Sequence, residues 1–431
     1  MRFGIAVTDV TPPFKTPMRG YSVRKDHFDA VHDPLTFTAV VLEEGERRAL
    51  IGVADICAFP NDGSVPELLA RLGEIVGCPP DNVMLNASHT HGGPSLPSSR
   101  SSTHLSASDA EACERYEALL YERVAEAATD AAGHLRDGSL WFGEGRTALP
   151  ISRRLERDGQ ILHAPAPGAP TDDRMHVLAF RDADEKLAAV GMKLSCHPVA
   201  TAYQHLLTAD YPGAWREEFS RAFGQDVTPF FLQGAGADAR PRHTADGDQW
   251  RALPHAELAD IGREVLAECL TVLTGRGLEP VDDLLLTGRI SPADVPCEKT
   301  FTRREQFGEL LQSADSRKQR YAERCLELLG AGEQVPDHQT FHVQTLWLNS
   351  GLALIGLDVE PLCGLGRSVE AAVSPRRAML LGYTNGSVAY APGRDELPRG
   401  GYEAESFYGK PWTGPLCAGI EDHFAEAVML I

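Results

Sequence analysis

Short apolar or alternating runs bounded by turn residues recur along the whole chain, and they predict strands at residues 37–42, 49–54, 83–86, 139–142, 176–180, 188–195, 227–232, 284–290, 341–348 and 353–357. The opening residues Met1-Arg2-Phe3-Gly4-Ile5-Ala6-Val7-Thr8-Asp9 read as a further strand that begins almost at once. Apolar positions at helical spacing predict helices over 65–76, 110–132, 214–223, 256–273 and 303–329. The last of these carries Leu310, Leu311, Tyr321, Leu326 and Leu329 among charges, the mark of a partly exposed amphipathic helix. Strand–helix alternation argues for parallel pairing, whereas 341–348 and 353–357, joined around Asn349-Ser350-Gly351, argue for an antiparallel hairpin. The class predicted is therefore α/β, a mixed β-sheet core with flanking helices, in a single large domain over 1–431 with a helical excursion at about 295–335. Two stretches, 92–108 and 152–172, lack a regular pattern and read as long loops. No internal repeat or low-complexity tract is present.

Charge narrows the classes of partner. The 431 residues carry a formal net charge of -20, which disfavours any sequence-independent grip on nucleic acid and repels an anionic membrane surface. The basic pairs Arg24-Lys25 and Arg153-Arg154 are too short to reverse this. No apolar run reaches the length of a transmembrane helix, and no charged segment followed by an apolar one marks a secretory signal. Nine scattered cysteines (57, 78, 113, 196, 269, 297, 325, 363 and 417) form no CxxC pair and read as reduced core thiols of a cytoplasmic protein. Cys196 beside His197 is the one local hint of a cysteine nucleophile, and adjacent strand residues point to opposite faces. Nothing in the sequence sets an oligomeric state.

Candidate chemistry gathers where predicted strands end. Residues 83–94 run from an apolar strand into Asn86-Ala87-Ser88-His89-Thr90-His91-Gly92-Gly93-Pro94. On an extended chain His89 and His91 fall on one side, which suits a metal ligand with an acid/base partner; the alternative is two solvated loop histidines. His197, in Ser195-Cys196-His197-Pro198, repeats the arrangement after a second strand and is either structural or a further ligand. Glu360 follows the strand at 353–357 and precedes Pro361. It reads as a ligand for which Asp358 competes, or as a carboxylate at a helix N-terminus. A fourth region holds Gly382-Tyr383-Thr384-Asn385-Gly386-Ser387-Val388-Ala389-Tyr390, followed by Tyr402-Glu403-Ala404; tyrosines in such loops usually pack.

Taken together, these segments resemble the catalytic domain of the neutral/alkaline non-lysosomal ceramidase family. The family motif Ala-Thr-His-Thr-His-Ser-Gly-Pro is similar to Ala87-Ser88-His89-Thr90-His91-Gly92-Gly93-Pro94. Thr208-Ala209-Asp210-Tyr211-Pro212-Gly213, the segment ending at Tyr390, Tyr402-Glu403-Ala404, Ala6-Val7-Thr8-Asp9-Val10-Thr11-Pro12-Pro13 and Pro17-Met18-Arg19-Gly20-Tyr21 also match, in order, over residues 1 to about 415. The resemblance implies one Zn²⁺ per chain held by His89, His197, Glu360 and Tyr390, with His91 beside the metal-bound water. It further implies that Arg153 is an active-site arginine and Tyr402 a tyrosine that polarises the substrate. Zinc chemistry then implies hydrolysis of an amide by zinc-bound hydroxide, since the metal lowers the pKa of its water to about 7. His91 would carry the proton to the amine, while Tyr402 and Arg153 would stabilise the oxyanion.

The chain departs from the family at Ala237-Asp238-Ala239-Arg240-Pro241-Arg242, where the family has Gly-Asp-Val-Ser-Pro-Asn. The family's serine is Arg240 here, which argues against a serine mechanism; Asp238 is retained and is expected to orient a histidine or the water, or else to form a turn. The chain also looks like a bacterial single-domain relative without the C-terminal β-sandwich of secreted members. Arg240 and Arg242 predict a small, anionic N-acyl substrate in place of a membrane ceramide. Ester or lactone cleavage on the same site, and a non-catalytic scaffold retaining the fold, are the alternatives.

Overall fold

The computed structural model describes all residues except Ser22, Val23, Lys25, Asp62 and 98–104. The larger sheet runs, in spatial order, through strands Thr228–Gln233, Leu187–Leu194, Arg174–Asp182, Arg136–Arg146, Arg2–Asp9, Thr36–Glu44, Arg47–Ala54 and Val83–Ala87. Its two ends are parallel pairs, Leu187–Leu194 with Thr228–Gln233 and Arg47–Ala54 with Val83–Ala87, and the strands between are antiparallel. A second sheet runs Thr287–Pro296, His338–Asn349, Leu352–Leu357 and Arg377–Leu381, with its last pair parallel. The mixed α/β class expected from the pattern is the class observed.

Strand periodicity explains how these sheets stack. Side chains alternate between faces, and Phe37, Ala39 and Val41 join a core beneath helices Ser64–Val76 and Ala107–Gly133. Val40 and Leu42 point the other way, into a core shared with Leu346, Leu348, Leu354 and Met379 of the second sheet. Phe341, Val343 and Trp347 turn outward from the second sheet toward helices Cys363–Ala371 and Ile420–Ala427. Helices Tyr211–Phe223 and Leu258–Leu273 cover the other end of the larger sheet through Met175, Val177, Trp215 and Ile261. The layers are therefore helix, sheet, sheet, helix.

Several expectations are corrected. Residues 152–172 are not a loop, because strands Pro150–Arg157 and Gln160–Ala166 pair there as an antiparallel hairpin. The strand placed at 284–290 runs instead over Thr287–Pro296; it is a sheet edge, where Pro292 and Pro296 are tolerated. The long helix expected at 303–329 is two helices, Arg304–Leu310 and Ser316–Gly330, the second capped by Asp315. Of the loop expected at 92–108, residues 98–104 lie outside the described ones, and the following helix starts at Ala107 behind the Ser106 cap. All nine cysteines are unpaired. No helix among the described residues is long and apolar enough to cross a membrane.

Candidate metal centre

The parallel pairs end close together, and the polar segments that follow their carboxyl ends converge, as ligand sites do in α/β sheets. Asn86 joins these ends. Its side chain accepts from the Gln233 amide at 2.8 Å and donates to the Gly382 carbonyl at 2.7 Å. Asn385 adds a second link, its amide donating to the Leu85 carbonyl and its side-chain oxygen accepting from the Leu85 amide. Both sheets are thus held at one junction, from which the candidate residues project.

His89 follows strand Val83–Ala87 but not as extended chain: its φ is +64°, in the left-handed region. The alternation expected to align His89 and His91 is therefore absent, yet a sharp turn still brings their Nε2 atoms within 3.2 Å. His89 Nδ1 lies 2.6 Å from the Cys57 carbonyl and His197 Nδ1 lies 2.7 Å from the Gly236 carbonyl, which turns both Nε2 atoms inward. His89 Nε2 and His197 Nε2 stand 3.5 and 3.8 Å from Glu360 Oε2. Four-coordinate zinc with bonds of about 2.0–2.1 Å spaces its ligands by roughly 3.3–3.4 Å, so both histidine–carboxylate distances are slightly longer than a closed tetrahedral site requires. His197 Nε2 and Glu360 Oε2 are buried without any hydrogen-bond partner, the state of donor atoms shaped for a cation.

Tyr390 belongs to the same wall. Glu360 and Tyr390 are opposite residues in the short parallel pairing of Glu360–Pro361 with Tyr390–Ala391. Burial beside Glu360 pushes the Tyr390 phenol well above its ordinary value. Asp358, the rival carboxylate, is occupied elsewhere, 3.0 Å from His342 Nδ1. Cys57, Tyr383 and Glu403 were not singled out by the sequence. Cys57, His89 and His91 form a second group of potential ligands. Tyr383 stacks on His89 with ring centroids 3.9 Å apart. Glu403 receives Arg153 Nε at 2.8 Å and also pairs with Arg154. A lone cysteine gives no spacing signal, whereas Tyr383 and Glu403 each adjoin motif residues.

His91 sits between Tyr21 and His89, and burial, with His89 and the cations of Arg24, Arg153 and Arg240 around it, pushes its pKa well down. Arg153 is 5 % exposed; burial opposes its charge, but Tyr390 and Glu403 hold the guanidinium charged, and its Nη2 is unpartnered. Tyr402 is 43 % exposed at the rim, its ring edge-on to Tyr390 at 5.6 Å. Asp238 does not reach the trio: its carboxylate accepts from the Cys363 amide and its carbonyl from the Arg153 amide. Burial pushes that carboxyl up to about 6. The structure also separates the paired arginines. Arg240 is 8 % exposed, over the Trp250 ring at 4.5 Å. Arg242 lies on the surface, 2.6 Å from Glu264 on helix Leu258–Leu273. The cavity over the trio is about 100 Å³, lined by Arg19, Tyr21, Cys57, Ala58, Ser387 and Tyr402 among others.

The chain matches no protein-family model. It is 28% identical over 250 residues to the neutral ceramidase of Pseudomonas aeruginosa, a match covering 54% of this chain and 36% of that protein. The solved structure of neutral ceramidase from Pseudomonas aeruginosa superposes on 99% of this chain and 73% of its own, with a TM-score of 0.73 at 20% identity. A ceramidase solved as a complex with C2 matches with a TM-score of 0.72 at 20% identity, covering 99% of this chain and 74% of its own. The chain is thus homologous in sequence to a neutral ceramidase and carries the neutral ceramidase fold over nearly its whole length.

Proposed function

We propose that this protein is a zinc-dependent amidohydrolase that cleaves the N-acyl bond of a small, anionic substrate. One zinc ion would be held by His89, His197, Glu360 and Tyr390. The observation that carries the reading is the convergence of His89 Nε2, His197 Nε2 and Glu360 Oε2, with the last two buried and unpartnered. Likeness to a neutral ceramidase supports amide hydrolysis, although the aligned region spans about a third of that relative.

Zinc bound here would supply a water of lowered pKa and a polarised carbonyl. The chain's own residues do the rest. Buried His91, whose Nε2 faces His89, is placed to take a proton at the acyl carbon's face and return it to the leaving nitrogen. Arg153, whose guanidinium is fixed by Glu403 and lies 5.7 Å from the Tyr402 ring, would act with Tyr402 to stabilise the charge that develops on the carbonyl oxygen. Arg240 occupies the position of the family's serine, so a serine nucleophile is absent from that position. Among the described residues the cavity lining is aromatic and polar, with Ala58 as its aliphatic side chain, which favours a short acyl group over a long-chain ceramide.

The test is metal analysis of protein purified without added zinc, followed by an N-acyl amide panel with His91→Ala as control. One zinc per chain and His91-dependent turnover are expected. Absence of bound metal would overturn the reading in favour of a scaffold.

A further inference from the structure

Among the described residues, the positive charge around this cavity is unbalanced. Arg240 donates Nη2 to the Val199 carbonyl at 3.3 Å and leaves its Nε buried without a partner. Arg24, 2 % exposed, gives its terminal nitrogens to the carbonyls of Arg19, His91 and Gln204, and its Nε is likewise unpartnered. No carboxylate among the described residues forms an ion pair with Arg24 or Arg240, whose terminal nitrogens donate to backbone carbonyls. Arg240 feels the charge of buried Asp210, but that carboxylate is already saturated by the amides of Ala200, Thr201 and Tyr211 and by the Thr201 hydroxyl. A buried guanidinium without an anion is costly to keep. In a chain of net charge -20 it marks a place where an anion arrives from outside.

Position decides which half of the substrate carries that anion. Arg240 donates to the Val199 carbonyl and the His91 amide to the neighbouring Pro198 carbonyl, so the two are tied to adjacent residues; Arg240 also lies over Trp250, whose ring leads through His163 to Tyr402 at the cavity rim. Cys57, Ala58 and Ser387, small and uncharged, also line the cavity. His91 serves the leaving nitrogen in the proposed mechanism, so Arg240 stands on the amine half. Resting on that mechanism, we infer that the substrates are N-acyl α-amino acids, with Arg240 binding the carboxylate of the amino acid that leaves. Small acyl groups would occupy the Ala58 side.

The experiment compares metal-loaded enzyme on an N-acetyl α-amino acid, the matching N-acetyl amine without the carboxylate, and an N-succinyl amine with its carboxylate on the acyl half. The expected result is a kcat/KM at least about 100-fold higher for the amino acid conjugate, most of it in KM, since a charge-assisted bidentate contact contributes on that scale. In Arg240→Met, which keeps the stack on Trp250, the ratio falls toward one; Arg240→Lys keeps part of it. A second readout needs no turnover: the free amino acid raises the melting temperature of metal-free wild type, and the decarboxylated amine does not. Hydrolysis of all three amides at similar rates overturns this inference but leaves the amidohydrolase intact. Preference for the succinyl amine overturns the assignment to the amine half. Inertness of every amide, with no stabilisation by the amino acid, overturns both readings.

Discussion

Glu360 and Tyr390 stand opposite one another in parallel register, on two short segments that each leave the second sheet's parallel pair. Backbone pairing therefore fixes a carboxylate and a phenol side by side, with the carboxylate oxygen aimed at His89 and His197. Exchanging Glu360 for Gln keeps the shape and removes the charge. Zinc content measured by plasma emission should fall, with affinity weakened by more than the roughly 10- to 100-fold typical of losing a supporting hydrogen bond. Full retention of zinc would remove Glu360 from the ligand set.

Gly20 is pressed against His91. A Cβ at Gly20 would lie 2.5 Å from His91 Cγ, and its φ of +107° disfavours any side chain. Gly20→Ala should push the imidazole aside, lowering kcat by about 100-fold, the cost of displacing a catalytic group by an ångström. Zinc content should stay at the wild-type value, because His91 is outside the proposed ligand set. Loss of metal together with rate would show that His91 helps hold the ion.

Tyr402 can be altered without disturbing the core, since it is half exposed and packs on Tyr390 and His163 by its ring. Tyr402→Phe should keep the melting temperature and lower kcat by about 100- to 1000-fold with little change in KM. A variant with wild-type kcat would overturn the oxyanion role proposed for Tyr402.

Away from the site, Asp172 anchors a buried ionic cluster. Its carboxylate takes Lys193 Nζ at 2.9 Å, Ser195 Oγ at 2.9 Å and Arg174 Nε at 2.7 Å. Burial opposes the charge, but Lys193 and Arg174 hold this carboxyl well below the usual carboxylate range. The folded value lies below the unfolded one, so the stabilisation is complete above pH of about 4 and fades as pH falls further. Urea unfolding should show stability declining below that pH in the wild type. Asp172→Asn should flatten this decline and cost about 3–5 kcal/mol at neutral pH by leaving Lys193 buried without its counter-charge.

What the sequence revealed divides along physical lines. His89, His197 and Glu360 were visible because each follows a clean apolar strand and a turn, a pattern set by local preference. The hairpin of Pro150–Arg157 with Gln160–Ala166 was not visible, because its buried positions include Arg153 and Arg154, satisfied by Glu403 some 250 residues later. A strand with charges facing inward defeats any reading by alternation. The break between Arg304–Leu310 and Ser316–Gly330 was hidden because no glycine or proline stands between Leu311 and Leu329 to mark it. Arg240 and Arg242 look equivalent as neighbours, and only tertiary packing sends one inside and the other to Glu264.

The converging trio has one more consequence. His89, His197 and Glu360 are contributed by the early, middle and late parts of the chain, the last of them just after a strand of the second sheet. An ion gripped by all three would act as a removable staple that closes long chain loops, and ligands that bind only the folded state deepen its free-energy well. Zinc scarcity would then thin the population of folded molecules, and a chelator should lower the unfolding midpoint as well as the rate.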